Sequence, residues 1–301
     1  MIPVCLDNVL VRYRNFIFWF YLRTGICNMD NYVDERDYKL IENDKYTFFV
    51  LGKIMGGECR VLLTDHEKMI ICHSNNPFPV WIWSSDNLTE KEMDKAYQIV
   101  SAHFPFDEGY TFNIKYELAK YFIQRAMSDD INLSIKINMF AYDCPNPVEP
   151  KDKTDGKVHP CTLDDIEELT EIYDLFQKET GIDRQNYEQN RANAEYSVEN
   201  KNIFFWEDVN GKHVASCTYR PNGNGDIASI GLVYTREEAR RMHYAENLVY
   251  QITKKAKGEG YMPMLYTNAD YVASNACYEK IGYKLISKQL KKSQNPFIWQ
   301  Y

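Results

Sequence analysis

Thr267-Asn268-Ala269-Asp270-Tyr271-Val272-Ala273-Ser274-Asn275-Ala276-Cys277-Tyr278-Glu279-Lys280-Ile281-Gly282-Tyr283 is the stretch whose reading decides the fold. It ends a strand begun at Met262, and it opens a short helix over Ser274–Lys280 that Gly282 stops, as glycines after a last helical turn commonly do. Asn275 and Tyr278 stand three residues apart, so the helix places them on one face.

Working outward, strand Asp226–Tyr234 leads into Thr235-Arg236-Glu237-Glu238-Ala239-Arg240-Arg241-Met242-His243-Tyr244-Ala245. A long helix is predicted over Arg236–Lys257, stopped by Gly258-Glu259-Gly260. Free N–H groups and positive partial charge at a helix N-terminus suit a pyrophosphate. Arg240 and Arg241 add donors suited to phosphate.

With both segments in hand, the chain resembles the GCN5-related N-acetyltransferase (GNAT) family. That family's cofactor loop reads [Gln/Arg]-x-x-Gly-x-[Gly/Ala]. Arg240-Arg241-Met242-His243-Tyr244-Ala245 matches at Arg240 and Ala245, while His243 stands where the family has glycine. Asn275-Ala276-Cys277-Tyr278-Glu279-Lys280-Ile281-Gly282-Tyr283 resembles the family's Asn-x-x-Tyr-Glu-Lys-x-Gly-[Phe/Tyr] segment. Tyr271-Val272 replaces the Asn-Pro that close relatives carry there. The resemblance covers about residues 157–290 and implies acetyl-CoA as co-substrate. It implies that Tyr278 protonates the departing thiolate, and that Asn275 contacts the pantetheine or phosphate portion. A backbone N–H of Leu232 or Val233 would polarise the thioester carbonyl. Residues 240 to 245, Asn268, Asn275 and Tyr278 complete the implied cofactor set.

Three prolines in Cys144–Pro150, followed by charged residues and Gly156, read as an extended linker at 145–156. It separates an α/β domain at 29–144 from the GNAT domain at 157–301. Beyond the linker, strand Lys157–Pro160 precedes a helix capped by Thr162 and ended at Gly181. Asn202–Trp206 and His213–Tyr219 form a hairpin across an Asn-Gly turn. A strand is expected at Tyr283–Lys288.

In the first half, Tyr46–Gly52, Cys59–Thr64, Met69–His73, Val80–Trp83 and Leu133–Tyr142 read as strands. Gly56-Gly57 reads as a hairpin turn. A capping box at Thr89 starts one helix, and a second spans Lys115–Ala126. A two-domain subgroup of the family, in which a divergent GNAT-like half lacks the cofactor loop, is the implied relationship for this half. The fold class is therefore α/β with a mixed sheet in both halves.

Hydrophobic residues make up 45% of the 301 and charged residues 26%, ordinary for a globular protein. A net charge of −8 argues against a general nucleic-acid partner and mildly favours cationic substrates such as amines. None of the eight cysteines forms a C-x-x-C pair, so no metal is expected, and scattered thiols read as reduced residues of a cytoplasmic protein. Phe16–Leu22 is apolar but far shorter than the roughly 20 residues a spanning helix needs, so no stable membrane association is expected. Residues 1–28 read as an N-terminal extension before Met29.

The sequence reading is thus an acetyl-CoA-dependent N-acetyltransferase of a small-molecule or protein primary amine, working by direct transfer in a ternary complex, with a homodimer admissible. The alternative is a non-catalytic acyl-CoA-binding or regulatory module. Glu207, Asp226, Glu237 and His243 are the candidate general bases, and a water chain is the other route.

Overall fold

The structure is a computed structural model that describes residues 29–76, 78–106, 108–181, 185–222, 225–286 and 295–300. The apolar run Phe16–Leu22 lies outside them. The chain divides into two compact units, 1–138 with 292–301, and 139–291.

The first unit contains α1 (Glu35–Leu40), α2 (Phe49–Met55), β1 (Val61–Thr64), β2 (Met69–His73), β3 (Val80–Ser84), α3 (Glu90–His103), β4 (Phe112–Ile114) and α4 (Tyr116–Met127). Strands β1, β2 and β3 are antiparallel neighbours, and β3 runs parallel to β4 with α3 as the crossover. The predicted capping box holds: Thr89 Oγ1 accepts from Glu92 N, and a Glu92 carboxylate oxygen accepts from Thr89 N. Met69 and Ile71 pack toward α3 and α4, whereas Ile70 and Cys72 join Phe48, Leu51 and Met55 of the α2 side. Both sheet faces are covered, so β2 and β3 read as continuous apolar runs.

Two expectations fail in this unit. Tyr46–Gly52 contributes to a helix, not a strand, because the buried Phe48 and Leu51 continue at helical spacing to Met55. Gly56 caps that helix instead of turning a hairpin. The sequence reading also passed over α1 and β4.

The second unit takes the end of β5 (Leu133–Asp143), then β6 (Lys157–Pro160), α5 (Ile166–Thr180), α6 (Tyr187–Glu199), β7 (Ile203–Glu207), β8 (His213–Pro221), β9 (Ile227–Thr235), α7 (Tyr244–Gly258), β10 (Met262–Asn268), α8 (Val272–Lys280) and β11 (Lys284–Leu285). Its strand order is β5-β10-β9-β8-β7-β6, with β11 also on β5. β9 and β10 are parallel and the other pairs antiparallel. The last strand, β12 (Asn295–Gln300), pairs with β4 in the first unit.

Helices α7 and α8 cover one face of this sheet, and α5 with α6 the other. The N-cap and Gly181 predictions for the helix after Thr162 hold, with Gly181 left-handed at the C-cap. Helix α6 was not foreseen. The proline-rich segment 145–156 lies inside this unit: Val148 N donates to Ile281 O, and Trp206 Nε1 donates to Asp155 O. The strand expected at Tyr283–Lys288 is confined to Lys284–Leu285 among the described residues.

Candidate cofactor and catalytic site

β9 carries the feature around which the site is built. Its register to β8 slips between Ser216 and Thr218, so Leu232 and Val233 together oppose Cys217. Leu232 adopts φ +45, and its carbonyl accepts from Ser216 Oγ at 2.9 Å. The extra residue reverses the pleat. Ala228 and Ile230 pack under α7, but Leu232 and Tyr234, at the same parity, pack under α5. Val233 is thereby turned toward the α7 and α8 side.

β10 pairs with β9 only through Met262–Ile227, Pro263–Ala228 and Met264–Ser229. Beyond Ser229 the ladder stops while β9 continues to Thr235 and β10 to Asn268. The two parallel strands therefore splay, as expected for a slot that receives an extended ligand with its own hydrogen-bonding groups.

At the end of β9 the chain does not enter a helix at Arg236. It makes a single 3-10 turn at Glu237–Ala239, and α7 starts only at Tyr244. The reason is conformational: Arg241 and His243 sit at φ +62 and +61, which no helix tolerates. The glycine that the family pattern places at His243 is thus the residue that this left-handed geometry favours. The alternating loop leaves the N–H groups of Arg241, Met242, His243, Tyr244 and Ala245 without backbone partners among the described residues. Successive unpartnered N–H groups in such a loop are the kind of backbone that can receive an anion.

Arg240 is committed elsewhere in this state. Its Nη2 lies 2.6 Å from a Glu179 carboxylate oxygen at the end of α5, and its Nε donates to Thr235 O. Tyr271 Oη donates to the Glu179 carbonyl. Met242 is exposed. His243 Nδ1 contacts Glu246 at 3.1 Å, and Nε2 stands 3.8 Å from Asp152.

On the other strand, Asn268 Oδ1 accepts from Asp270 N. Asn275 Nδ2 donates to the carbonyls of Asn268 and Ala269, both at 3.1 Å, fixing the turn from β10 to α8. Its Oδ1 is buried with no partner among the described residues. Tyr278 is buried beside Tyr283 and Cys217. No hydrogen bond engages its hydroxyl among the described residues. Burial first, then the neighbouring Cys277 and Cys217, pushes its pKa above the ordinary tyrosine value of 10.0. The phenol is therefore a proton donor throughout the neutral range.

The four candidate bases scatter. Glu207 pairs with Lys157, Asp226 and Glu237 are exposed, and His243 pairs with Glu246. None hydrogen-bonds Tyr278.

Residues 169–283 match the family model described as the Acetyltransferase (GNAT) family. The chain carries a GNAT-family domain. Solved structures, the first two described as GNAT or GCN5-related acetyltransferases, extend the likeness in fold beyond the matched segment. One from Colwellia psychrerythraea has a TM-score of 0.54 at 11% identity, covering 91% of this chain and 100% of its own. A second from Sphaerobacter thermophilus has a TM-score of 0.53 at 13% identity, covering 84% of each chain. A Drosophila protein has a TM-score of 0.57 at 12% identity, covering 96% of each. No curated protein sequence matches the chain significantly.

Within the GNAT domain, Glu179, Ser216 and Cys217 are the site neighbours that sequence reasoning missed. Glu179 lies 61 positions from the arginine it binds, so no local pattern could expose it. Ser216 gave no signal of its own, because His213, Thr218 and Arg220 make its strand mixed in polarity.

Proposed function

We propose that this GNAT domain binds acetyl-CoA between β9 and β10 and transfers the acetyl group directly to a primary amine of a small molecule or protein. One observation carries the reading. The splayed strands run between a loop of unpaired N–H groups at 241–245 and a buried tyrosine whose hydroxyl has no hydrogen-bond partner among the described residues. The loop would hold the pyrophosphate, with Arg240 and Arg241 beside it. The bulged backbone at Leu232 and Val233 would face the thioester carbonyl and stabilise the oxyanion that develops as the amine attacks. The orphaned Asn275 Oδ1 and the backbone at Asn268 would meet the pantetheine arm. As the C–N bond forms and the C–S bond breaks, Tyr278 would give its proton to the thiolate. The acceptor amine loses its proton to a base that the four carboxylate and histidine candidates do not single out, so a water chain is the preferred route.

The first unit contributes no equivalent loop among its described residues. We read it as a divergent α/β half of the two-domain GNAT type. No helix among the described residues is long and apolar enough to cross a membrane.

Acetyl-CoA should raise the Tm of the full chain, and CoA release should appear with at least one member of an amine panel. Tyr278→Phe should keep cofactor binding and lower kcat by about 10²-fold or more, the range for a lost general acid. Equal turnover in that variant would remove Tyr278 from the mechanism. The specific observation favouring a non-catalytic acyl-CoA-binding module is His243 in the glycine position. Stabilisation by acetyl-CoA with no CoA release across the panel would establish that reading instead.

A further inference from the structure

A second constellation lies at the start of α5, where β6, β7 and β8 come together. His159 of β6, Glu207 of β7 and His213 of β8 bring one donor atom each within 4.8 Å of one another. Asp165, the N-cap of α5, and Glu168 in its first turn lie beside His213. All five side chains are at least two-thirds buried, with side-chain exposures from 11% to 32%. The His213 ring stacks on Phe205 at 4.5 Å and meets the tilted His159 ring at 4.6 Å, contacts that restrain its plane.

The hydrogen bonding sorts these groups into two roles. His159 Nε2 meets Asp165 Oδ2 at 3.0 Å, so Nε2 carries the proton and Nδ1 the lone pair. That Nδ1 stands 3.5 Å from Glu207 Oε2. The other Glu207 oxygen is held by Lys157 at 3.1 Å, leaving Oε2 as the available donor. His213 Nδ1 meets Glu168 Oε2 at 2.8 Å, and Arg236 in turn holds Glu168 at 2.7 Å. This leaves the His213 lone pair on Nε2. Each imidazole thus has a carboxylate behind it and a lone pair to offer, the carboxylate–histidine–metal arrangement. The Nδ1–Oε2 separation of 3.5 Å is close to the edge of a tetrahedron around zinc, about 3.3 Å for bond lengths near 2.0–2.1 Å. Charge points the same way. With both histidines neutral, Asp165, Glu168, Glu207 and the exposed Glu171 face only Arg236 and the exposed Lys157. One divalent cation would balance the remaining charge.

The corresponding cluster in the first unit lacks these properties. His66 has both ring nitrogens within hydrogen-bonding distance of carboxylates, Asp37 at 2.8 Å and Asp30 at 3.1 Å, so neither nitrogen is left over for a metal.

We propose that His159, Glu207 and His213 bind one borderline divalent cation, of which Zn²⁺ is the best match, with Asp165 and Glu168 orienting the imidazoles. The mixed imidazole and carboxylate donor set selects Zn²⁺ or Co²⁺ over Mg²⁺ and Ca²⁺, which take oxygen ligands. The site is independent of the cofactor slot and of the acetyl-transfer reading.

The test is calorimetric titration of the metal-stripped full chain with Zn²⁺ at neutral pH, alongside Co²⁺ absorption spectra. One equivalent of Zn²⁺ should bind, and Co²⁺ should give a visible band of low-coordinate character. Both should be lost in His159→Ala and in His213→Ala, and Mg²⁺ should not compete. Asp165→Asn keeps the side-chain volume and leaves all three ligands in place, so it should weaken binding about 10–100-fold without abolishing it. His66→Ala should bind as the parent does. Absence of saturable Zn²⁺ binding to the parent, or undiminished binding in both histidine variants, would overturn the proposal.

Discussion

His243 holds φ +61 at the position where the cofactor loop of the family carries glycine. For a side-chain-bearing residue this costs on the order of 1 kcal/mol. Replacing it by glycine relieves that strain but frees the unfolded chain by a similar amount. Stability of His243→Gly should therefore change by less than about 1 kcal/mol. If the loop holds the pyrophosphate as proposed, the cofactor should feel a clearer effect, because loss of Cβ would let the loop backbone close on it. Calorimetry should show a severalfold tighter acetyl-CoA complex, and weaker binding would show that the imidazole itself contacts the ligand. Glu179 acts in the opposite sense. Its ion pair engages the Arg240 guanidinium that the proposed pyrophosphate would otherwise meet, with both side chains about half exposed. Such pairs are worth up to about 1 kcal/mol and are screened by salt. Glu179→Gln should then raise acetyl-CoA affinity by at most about fivefold at low ionic strength. That gain should shrink in high salt, and a loss of affinity would mean that Glu179 positions Arg240 instead of withholding it.

Elements, more than residues, decide where this fold departs from its sequence. The Thr267–Tyr283 segment could be read because a strand end, two residues on one helix face and a stopping glycine all fall within its seventeen positions. The start of α7 could not, since polar and charged residues at 236–243 fit a helix by propensity, and only the left-handed Arg241 and His243 exclude it. Tyr46–Gly52 misled for a related reason: a short aromatic and β-branched run fits a strand or a buried helix equally well until its partners are known. The proline-rich 145–156 segment looked like a linker because prolines forbid regular structure. In the folded chain it is pinned across α8 and β7, and glycines make that close approach possible. A Cβ on Gly282, at φ +99, would lie 2.4 Å from Asn146 O. Backbone strain and backbone overlap combine there, so Gly282→Ala should lose about 2–4 kcal/mol. Gly181 at the end of α5 supplies the control. Its φ is +67, but a Cβ there would meet nothing within 4 Å, so Gly181→Ala should lose only about 1 kcal/mol. Urea midpoints of the two variants, measured with unchanged m-values, test the difference, and equal losses would show that the 145–156 segment is not held at Gly282.

At the scale of the molecule, sequence patterns marked the apolar strands but not the groups that tertiary structure assembles from distant segments. His159, Asp165, Glu207 and His213 span more than fifty positions and share no spacing rule, so their cluster is invisible until β6, β7 and β8 pair. The scattered cysteines were legible only as a type, and their consequence comes from packing. Cys72, Cys161 and Cys217 are buried, and burial raises each thiol well above its ordinary 9.0. Tyr278 and Tyr283 are raised by burial above the ordinary 10.0 in the same way. In each case the folded state keeps a proton that the unfolded chain releases. The associated stability is fully present below the unfolded values and is lost as pH rises beyond them. Each group adds a slope of about 1.4 kcal/mol per pH unit once its unfolded value is passed. The urea midpoint should therefore be nearly flat from pH 7 to about 9, begin to fall as the thiols enter, and steepen above about 10 as the tyrosines join. Ionisation of the buried phenols, followed by their absorbance, should coincide with unfolding and not precede it. A midpoint that stays level through pH 11, or phenolate absorbance that rises while the fold persists, would show that these side chains reach water in the native state.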